Sequence, residues 1–204
     1  MNDEEFTAIL AMGYEAPGTE FKGSGCISDK QLFAQVTKAI LGMANRRDGG
    51  RIIIGVEDDG GVLIPIGLSK ANLDTWKYDD VSAKLAEYAD PSVNYDLRTE
   101  RHNDKDYVIL YVGEFADIPI ICKKDYPEVL RKGACYVRPR RKPETTEIPT
   151  QEDMRDLLDL AAEKRLRKNL ERVSRAGGVI IPFQTAGRSV SPQELFDKQL
   201  GDIK

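Results

Sequence analysis

The sequence predicts an α+β fold in which helices flank a mixed, largely antiparallel sheet. Apolar residues recur every three or four positions after Asp29 and again after Thr150, a spacing typical of helices that pack on a core by one face. A continuous β-branched run covers residues 51–56, and short apolar or alternating runs follow from Val93 to Arg138. We therefore expect a central sheet that carries helices, with the last helix packed back on it.

The N-terminal part is expected to begin with a short helix from Asn2 or Asp3 to about Met12, ended by Gly13. A loop punctuated by glycine and proline follows over residues 14–28, with room for a short strand at 19–22. Asp29 then opens a strongly amphipathic helix that ends near residues 46–50. Its predicted inward residues are Leu32, Phe33, Val36, Ile40 and Met43.

The run over residues 51–56 suits a strand buried on both faces, because its apolar side chains do not alternate with polar ones. Residues 57–61 are expected to close this strand with a turn, which would place their carboxylates at the end of a core strand. Residues 62–66 predict a returning strand, and a helical region is expected from Ser69 to Pro91.

The C-terminal half predicts a strand meander and one long helix. Strands are expected at residues 93–99, 107–112, 118–122 and 134–138, with a turn at Asn103-Asp104. The helix is expected to start at a Thr150 cap and continue to about Val173, with Met154, Leu157, Leu158, Ala161 and Leu170 inward. We assign residues 1–174 to one domain and residues 175–204 to a tail that docks a partner or a second copy.

The distribution of charge is more informative than its total. The 204 residues carry a net charge of -4, yet the segment from Cys122 to Pro143 holds eight basic residues against two acidic ones. We predict that this segment, together with Arg46 and Arg47, binds nucleic-acid phosphates while Tyr126 and Tyr136 stack on bases. The alternative is a solvated edge strand guarded by charges. The basic residues of the segment are Lys123, Lys124, Arg131, Lys132, Arg138, Arg140, Arg141 and Lys142.

Cysteine and histidine are too sparse for a zinc site or a disulfide framework. Cys26, Cys122 and Cys135 show no C-x-x-C spacing, and His102 is the one histidine. The sequence has no signal-peptide pattern and no run of about 18 apolar residues. We therefore expect a cytoplasmic protein without a membrane partner.

Glu15, Glu20 and Asp58 are candidates for a metal site. Converging carboxylates hold Mg²⁺ or Mn²⁺, which neutralises a phosphate and activates a water. From composition alone, three solvated surface carboxylates are the simpler interpretation. The glycines around the 51–56 run fit neither a P-loop nor a dinucleotide-binding motif, and a helix cap and a turn explain them.

Four motifs follow one another along the sequence: the triplet Glu20-Phe21-Lys22, the helix end Ala44-Asn45, the stretch DGGRIIIGVEDDG over residues 48–60, and Cys135-Tyr136-Val137-Arg138. Together they resemble the Schlafen AlbA-like (divergent AAA-4) domain, in a short single-lobe form of prokaryotic type. The resemblance spans roughly residues 10–165. The glycine pair, the β-branched run and Gly-Val-x-Asp are its most specific part.

The resemblance implies a metal-dependent endoribonuclease that acts on structured RNA such as tRNA. Glu15 and Glu20 match the two glutamates five positions apart, and Asp58 matches the aspartate after Gly-Val. These three residues would ligate Mg²⁺ or Mn²⁺. Lys22 would stabilise the charge that develops at phosphorus, or would pair with an acid.

Larger relatives have a zinc cluster and two lobes around a groove, whereas this sequence offers neither. A homodimer, or a larger assembly formed through residues 179–204, is therefore expected to complete a groove. Two other functions stay open: a non-catalytic DNA- or RNA-binding module, and a regulatory or assembly subunit of a defence or toxin system.

Overall fold

The computed structural model describes residues 3–12, 17–139 and 144–176. Contacts divide the chain into two units, Met1–Arg165 and Leu166–Lys204. In the second unit the described residues are the end of the last helix and Ala176. The predicted tail over residues 175–204 lies almost entirely outside the described residues.

The elements follow one another as α1 (Asp3–Ala11), β1 (Thr19–Lys22), α2 (Lys30–Ala44), β2 (Gly50–Ile54), β3 (Val56–Asp59), β4 (Val62–Pro65), α3 (Lys70–Leu73), α4 (Tyr78–Leu85), β5 (Ala89–Asp90), β6 (Tyr95–His102), β7 (Lys105–Val112), β8 (Ile121–Cys122), β9 (Tyr136–Val137), β10 (Thr146–Glu147) and α5 (Gln151–Arg175).

The central sheet has the strand order β1-β2-β7-β6. β1 runs parallel to β2, while the β2–β7 and β6–β7 pairs are antiparallel. The fold is therefore α+β with a mixed, mostly antiparallel sheet, and the predicted fold class is confirmed. The predicted turn at Asn103-Asp104 is also confirmed, because these residues connect β6 to β7 with φ of 50° and 62°.

Both faces of the sheet are buried at β2 and β7, where runs of consecutive residues, which point to opposite sides, are inaccessible. Ile52 and Ile54 belong to the large core cluster that includes α2, whereas Ile53 packs in a second cluster with Phe6 and Ile9 of α1. α2 begins where the sequence predicts: the Asp29 carboxylate accepts from the backbone N–H groups of Gln31 and Leu32 at 2.9 and 3.0 Å.

The predicted strand over residues 51–56 is broken at Gly55. This glycine has φ of +114°, and a Cβ there would lie 2.9 Å from Leu68 Cδ1. The core strand therefore ends at Ile54, and β3 and β4 form a separate two-stranded hairpin. The predicted turn over residues 57–61 is shorter than expected: residues 57–59 are in β3, and the turn itself is at Gly60 and Gly61. The predicted returning strand at residues 62–66 is confirmed as β4.

Shorter elements differ from the predictions because their lengths depend on distant partners. The helical region after Ser69 is split into α3 and α4. The predicted strands at 118–122 and 134–138 shrink to the two-residue β8 and β9. β9 pairs with β10, which the sequence did not predict.

The Thr150 cap of α5 is confirmed, since its hydroxyl accepts from the Asp153 backbone N–H at 3.1 Å. Only Leu157 and Leu160 of this helix are buried. Three residues predicted to point inward are exposed, so these predictions were wrong: Met154, Leu158 and Leu170. The helix contacts the core only through the narrow strip of surface around Leu157 and Leu160. Within the described ranges, no helix is long and apolar enough to cross a membrane.

Candidate functional site

Glu20 lies in β1, opposite Ile52 of β2, and is only 6% exposed. Its neighbour Phe21 packs in the cluster that includes α1. Alternation along the strand therefore directs Glu20 and Lys22 to the side of the sheet that α2 covers. A carboxylate in this position requires partners, because an unpaired buried charge is very costly.

Both carboxylate oxygens of Glu20 are engaged. Lys22 Nζ donates to Oε1 at 2.5 Å. Oε2 accepts from the Arg138 guanidinium at 2.5 Å and from the Thr145 hydroxyl at 2.9 Å. Two roles were predicted for Lys22, stabilising charge at phosphorus or pairing with an acid, and the structure shows the ion pair with Glu20.

Arg138 is itself fully buried and closes the cluster. Its side chain has 0% exposure, and a second guanidinium nitrogen donates to the Thr19 carbonyl at 2.9 Å. Because β1 is an edge strand, this bond covers a backbone acceptor of the open edge. A phosphate contact by Arg138, as predicted from the sequence, would require this arrangement to open.

Asp58 is found in a different setting. It is exposed in β3, and its carboxylate accepts from the Gly61 backbone N–H at 2.7 Å, across the turn to β4. This contact is typical of a carboxylate that stabilises a tight turn. Glu15 lies outside the described residues.

The described residues do not fit a divalent metal. Among them, no three His, Cys, Asp or Glu side chains are grouped so as to hold an ion. Glu20 has two cations beside it, Lys22 and Arg138, which repel a third, and its oxygens already accept from three donors.

Arg46, Arg47 and Arg138 line one cleft of about 500 Å³, together with five acidic residues. Arg47 forms a two-pronged ion pair with Glu163 at 2.9 Å, which raises the pKa of Arg47. Because acids outnumber bases here, the cleft is unfavourable for a phosphate backbone. The acidic residues are Asp48, Asp153, Asp156, Asp159 and Glu163.

The β8–β9 loop, residues 123–135, carries four exposed basic side chains. Lys124 pairs with Glu87 at 2.5 Å and lowers the pKa of that carboxyl. Arg131 makes a two-pronged pair with Glu147, with Nε to Oε1 at 2.8 Å, and lowers its pKa likewise. Lys123 and Lys132 form no ion pair within the part of the chain that the structure describes.

The predicted stacking residues differ in access. Tyr136 is only 2% exposed, and its hydroxyl accepts from the Arg131 backbone N–H at 2.8 Å. This residue therefore stabilises the loop, and a nucleic-acid base cannot stack on its buried ring. Tyr126 is half-buried. Arg140, Arg141 and Lys142 lie outside the described residues.

A protein-family model for "Schlafen, AlbA_2" matches residues 15–147. The chain belongs to the Schlafen AlbA_2 family. The predicted family is thereby confirmed. The match includes all three acidic candidates and every basic candidate of this AlbA_2 domain, whereas α1 and α5 lie outside it.

Two solved structures are similar to the domain. The DIP2311 protein from Corynebacterium diphtheriae aligns with a TM-score of 0.50 and 16% identity over 74% of this chain, which spans only 27% of that protein. The N-terminal domain of a putative ATP-dependent DNA helicase RecG-related protein from Nitrosomonas europaea gives a TM-score of 0.46 and 23% identity, covering 65% of this chain and 89% of that domain. The first likeness supports the fold alone. A search of curated proteins finds no match.

Sequence reasoning missed two residues, one in the buried Glu20 cluster and one beside the β8–β9 loop. Thr145 has no motif around it, and its contact with Glu20 depends on folding across more than a hundred residues. Lys38 lies on α2 with its ammonium 5.7 Å from the Tyr136 ring centre. The one sequence feature that could have indicated Lys38 is that it is a charged residue within a mostly apolar helix.

Proposed function

We propose that this Schlafen AlbA_2 domain binds nucleic acid through the β8–β9 loop, with RNA as the preferred ligand. Lys123 and Lys132 carry the proposal. Both are exposed, and neither forms an ion pair among the described residues. Cys122 accepts a backbone hydrogen bond from Gly133 and donates one to Ala134, at 2.6 and 2.8 Å, so the chain segments that carry the two lysines run next to each other.

A local cationic pair matters because the chain as a whole has a net charge of -4 and repels a polyanion. Phosphate binding releases counterions only where protein cations are available to replace them. Lys123 and Lys132 meet this condition, whereas Lys124 and Arg131 are neutralised by neighbouring carboxylates. The preference for RNA over DNA rests on the family.

Metal-dependent cleavage of structured RNA such as tRNA is the finer candidate. Family membership and the motif positions of Glu15, Glu20 and Asp58 favour it. The contacts of Glu20 favour binding without cleavage, because a metal would have to displace Lys22 or Arg138. Replacing Glu20 and Asp58 by alanine distinguishes these functions: RNA cleavage with Mn²⁺ or Mg²⁺ that is lost in a double variant with the circular dichroism and melting behaviour of a folded chain would establish the nuclease.

The binding proposal is tested by fluorescence anisotropy with a labelled structured RNA and a DNA duplex of equal length, over a series of salt concentrations. Lys123→Ala/Lys132→Ala is expected to weaken binding and to reduce the slope of log affinity against log salt by roughly 1 to 2. Lys30→Ala/Lys77→Ala is the matched control, because it removes two other exposed lysines.

Equal losses in the two double variants would contradict a specific role for the loop. Failure of the full chain to bind either nucleic acid would favour an assembly or regulatory subunit. Because the larger two-lobed relatives surround a groove and this chain has one lobe, we also infer that a second copy, or another subunit, completes such a groove. A strict monomer by light scattering at micromolar concentration, with full RNA binding, would contradict the dimer.

A further inference from the structure

We propose that Glu20 is a structural anchor that fastens the chain on both sides of residues 140–143 to strand β1. A single oxygen, Oε2, accepts from Arg138, two residues before that range, and from Thr145, two residues after it. One carboxylate thus fixes both flanks. The inference goes beyond the proposed function and does not rest on it.

Burial makes this anchor strong. The Glu20 and Arg138 side chains are 8% and 0% exposed, so neither can regain water if the other is removed. Loss of one partner of a buried pair leaves an uncompensated charge, which is far more costly than loss of a surface pair. The bond from Arg138 to the Thr19 carbonyl holds the guanidinium from a second direction.

Thr145 is positioned by packing as well as by its hydrogen bond. A Cβ at Gly42 of α2 would lie 2.5 Å from Thr145 Cγ2 and 2.9 Å from its hydroxyl oxygen. The absence of a side chain at Gly42 therefore lets Thr145 approach the helix closely. This contact places its hydroxyl within reach of Glu20, which is also buried on the α2 side of the sheet.

The anchor role disagrees with the role that the family motif implies. A metal ligand must present oxygen lone pairs to an ion, whereas Glu20 presents them to Lys22, Arg138 and Thr145. The same three donors account for the burial of this carboxylate without any ion. Glu20 is therefore expected to contribute to local stability and not to metal affinity.

Limited trypsin digestion of the full chain tests the anchor, because Arg140 and Arg141 are cleavage points between its two flanks. Glu20→Gln keeps the side-chain shape but removes the charge. Cleavage after Arg140 and Arg141 is expected to accelerate roughly tenfold or more. Its rate follows the fraction of molecules in which Arg138 and Thr145 have separated from Glu20, and the variant raises that fraction. Thr145→Val removes a single hydrogen bond and covers the case in which Glu20→Gln does not fold.

Phe6→Ala is the matched control, because Phe6 belongs to the other core cluster. Digestion is compared under conditions in which both variants have the same margin below their melting temperatures. Equal acceleration in Phe6→Ala would mean that the effect is global and would overturn the anchor.

A second arm measures melting temperature with and without Mn²⁺. The inference predicts the same Mn²⁺ shift for the wild type and for a folded Glu20→Gln, or no shift in either. Stabilisation of the wild type that is absent in the variant would identify Glu20 as a metal ligand and overturn the proposal. Neither arm measures RNA affinity, so a failure here is distinct from a failure of the proposed function.

Discussion

Gly42 of α2 lies against Thr145, which belongs to the Glu20 cluster. A methyl group at position 42 would occupy the space that this contact needs. Glycine inside a helix ordinarily costs about 1 kcal/mol relative to alanine. Here we expect Gly42→Ala to lower stability instead, by roughly 1–3 kcal/mol, because the methyl would overlap Thr145 and displace it from Glu20. Urea unfolding measures the change.

Gly42→Ala/Thr145→Ser is the companion variant. Serine keeps the hydroxyl but lacks the methyl carbon, Cγ2, that would lie 2.5 Å from the new Cβ. Partial recovery relative to Gly42→Ala is expected. A Gly42→Ala variant that is more stable than the wild type would show that helix propensity outweighs the overlap.

Tyr111 gives the domain a pH dependence in the alkaline range. Burial, together with the 2.8 Å hydrogen bond that its hydroxyl donates to Glu100, raises the pKa of Tyr111 to about 12. The folded state therefore holds this proton more tightly than the unfolded chain, whose tyrosines titrate near pH 10. The stabilisation is complete below about pH 10 and is lost as the pH rises towards 12.

Tyr111→Phe is expected to flatten the fall in stability between about pH 10 and 12, as measured by unfolding at several pH values. Some slope should remain, because burial also raises the pKa of Tyr95, Tyr107 and Tyr136. An unchanged slope would mean that Tyr111 titrates normally. Phenolate absorbance gives an independent measure.

The chemistry of single residues could be predicted better than their partners. Glu20 and Lys22 were singled out because their motif is local, and the structure shows an ion pair between them. The contacts of Glu20 with Arg138 and Thr145 were not predicted, because these two residues lie more than a hundred positions away in the sequence. A basic side chain in a basic segment gave no sign that it would be buried.

At the scale of elements, the β6–β7 hairpin provides the clearest test. Asp104 has φ of 62° in its turn, a conformation that glycine adopts without the steric cost of a Cβ. We expect Asp104→Gly to raise stability by roughly 0.5–1 kcal/mol in urea unfolding. The ion pair with Arg101 is exposed and long, at 3.5 Å, so its loss should matter little.

Asp104→Ala separates the two effects, because it removes the carboxylate but retains a Cβ. It is expected to be less stable than the wild type. If Asp104→Gly is also less stable, the ion pair or the carboxylate's turn contacts contribute more than the backbone conformation.

The long helices and strands could be predicted from the local sequence pattern, whereas the short ones could not. α2 begins after the predicted Asp29 cap because that cap and its apolar stripe are both written within a few residues. The turn and returning strand after residue 56 were predicted, but the break at Gly55 that separates β3 from β2 was not. Only the packing of Gly55 against Leu68 and Tyr107 shows that the chain must bend there. β10 escaped prediction because two residues carry no periodic signal.

For the whole molecule, the distribution of paired and unpaired charge decides which surface can meet a polyanion. The cleft lined by Arg46 and Arg47 has more acids than bases. On the β8–β9 loop, the ammonium groups of Lys123 and Lys132 form no ion pair among the described residues, although the Asp125 carboxylate accepts from the Lys132 backbone N–H at 2.8 Å. Sequence analysis located the basic segment but did not distinguish its neutralised members from its available ones. That distinction required the three-dimensional ion pairs.

The most direct test of this account is the affinity of the full chain for a labelled structured RNA, measured with EDTA and again with Mn²⁺, with the RNA recovered and sized afterwards. Binding through lysine–phosphate contacts predicts similar affinity in both conditions and intact RNA. Binding or cutting that requires Mn²⁺, and that is lost in a folded Glu20→Gln variant but kept in Thr145→Val, would contradict it and would place Glu20 at a metal centre.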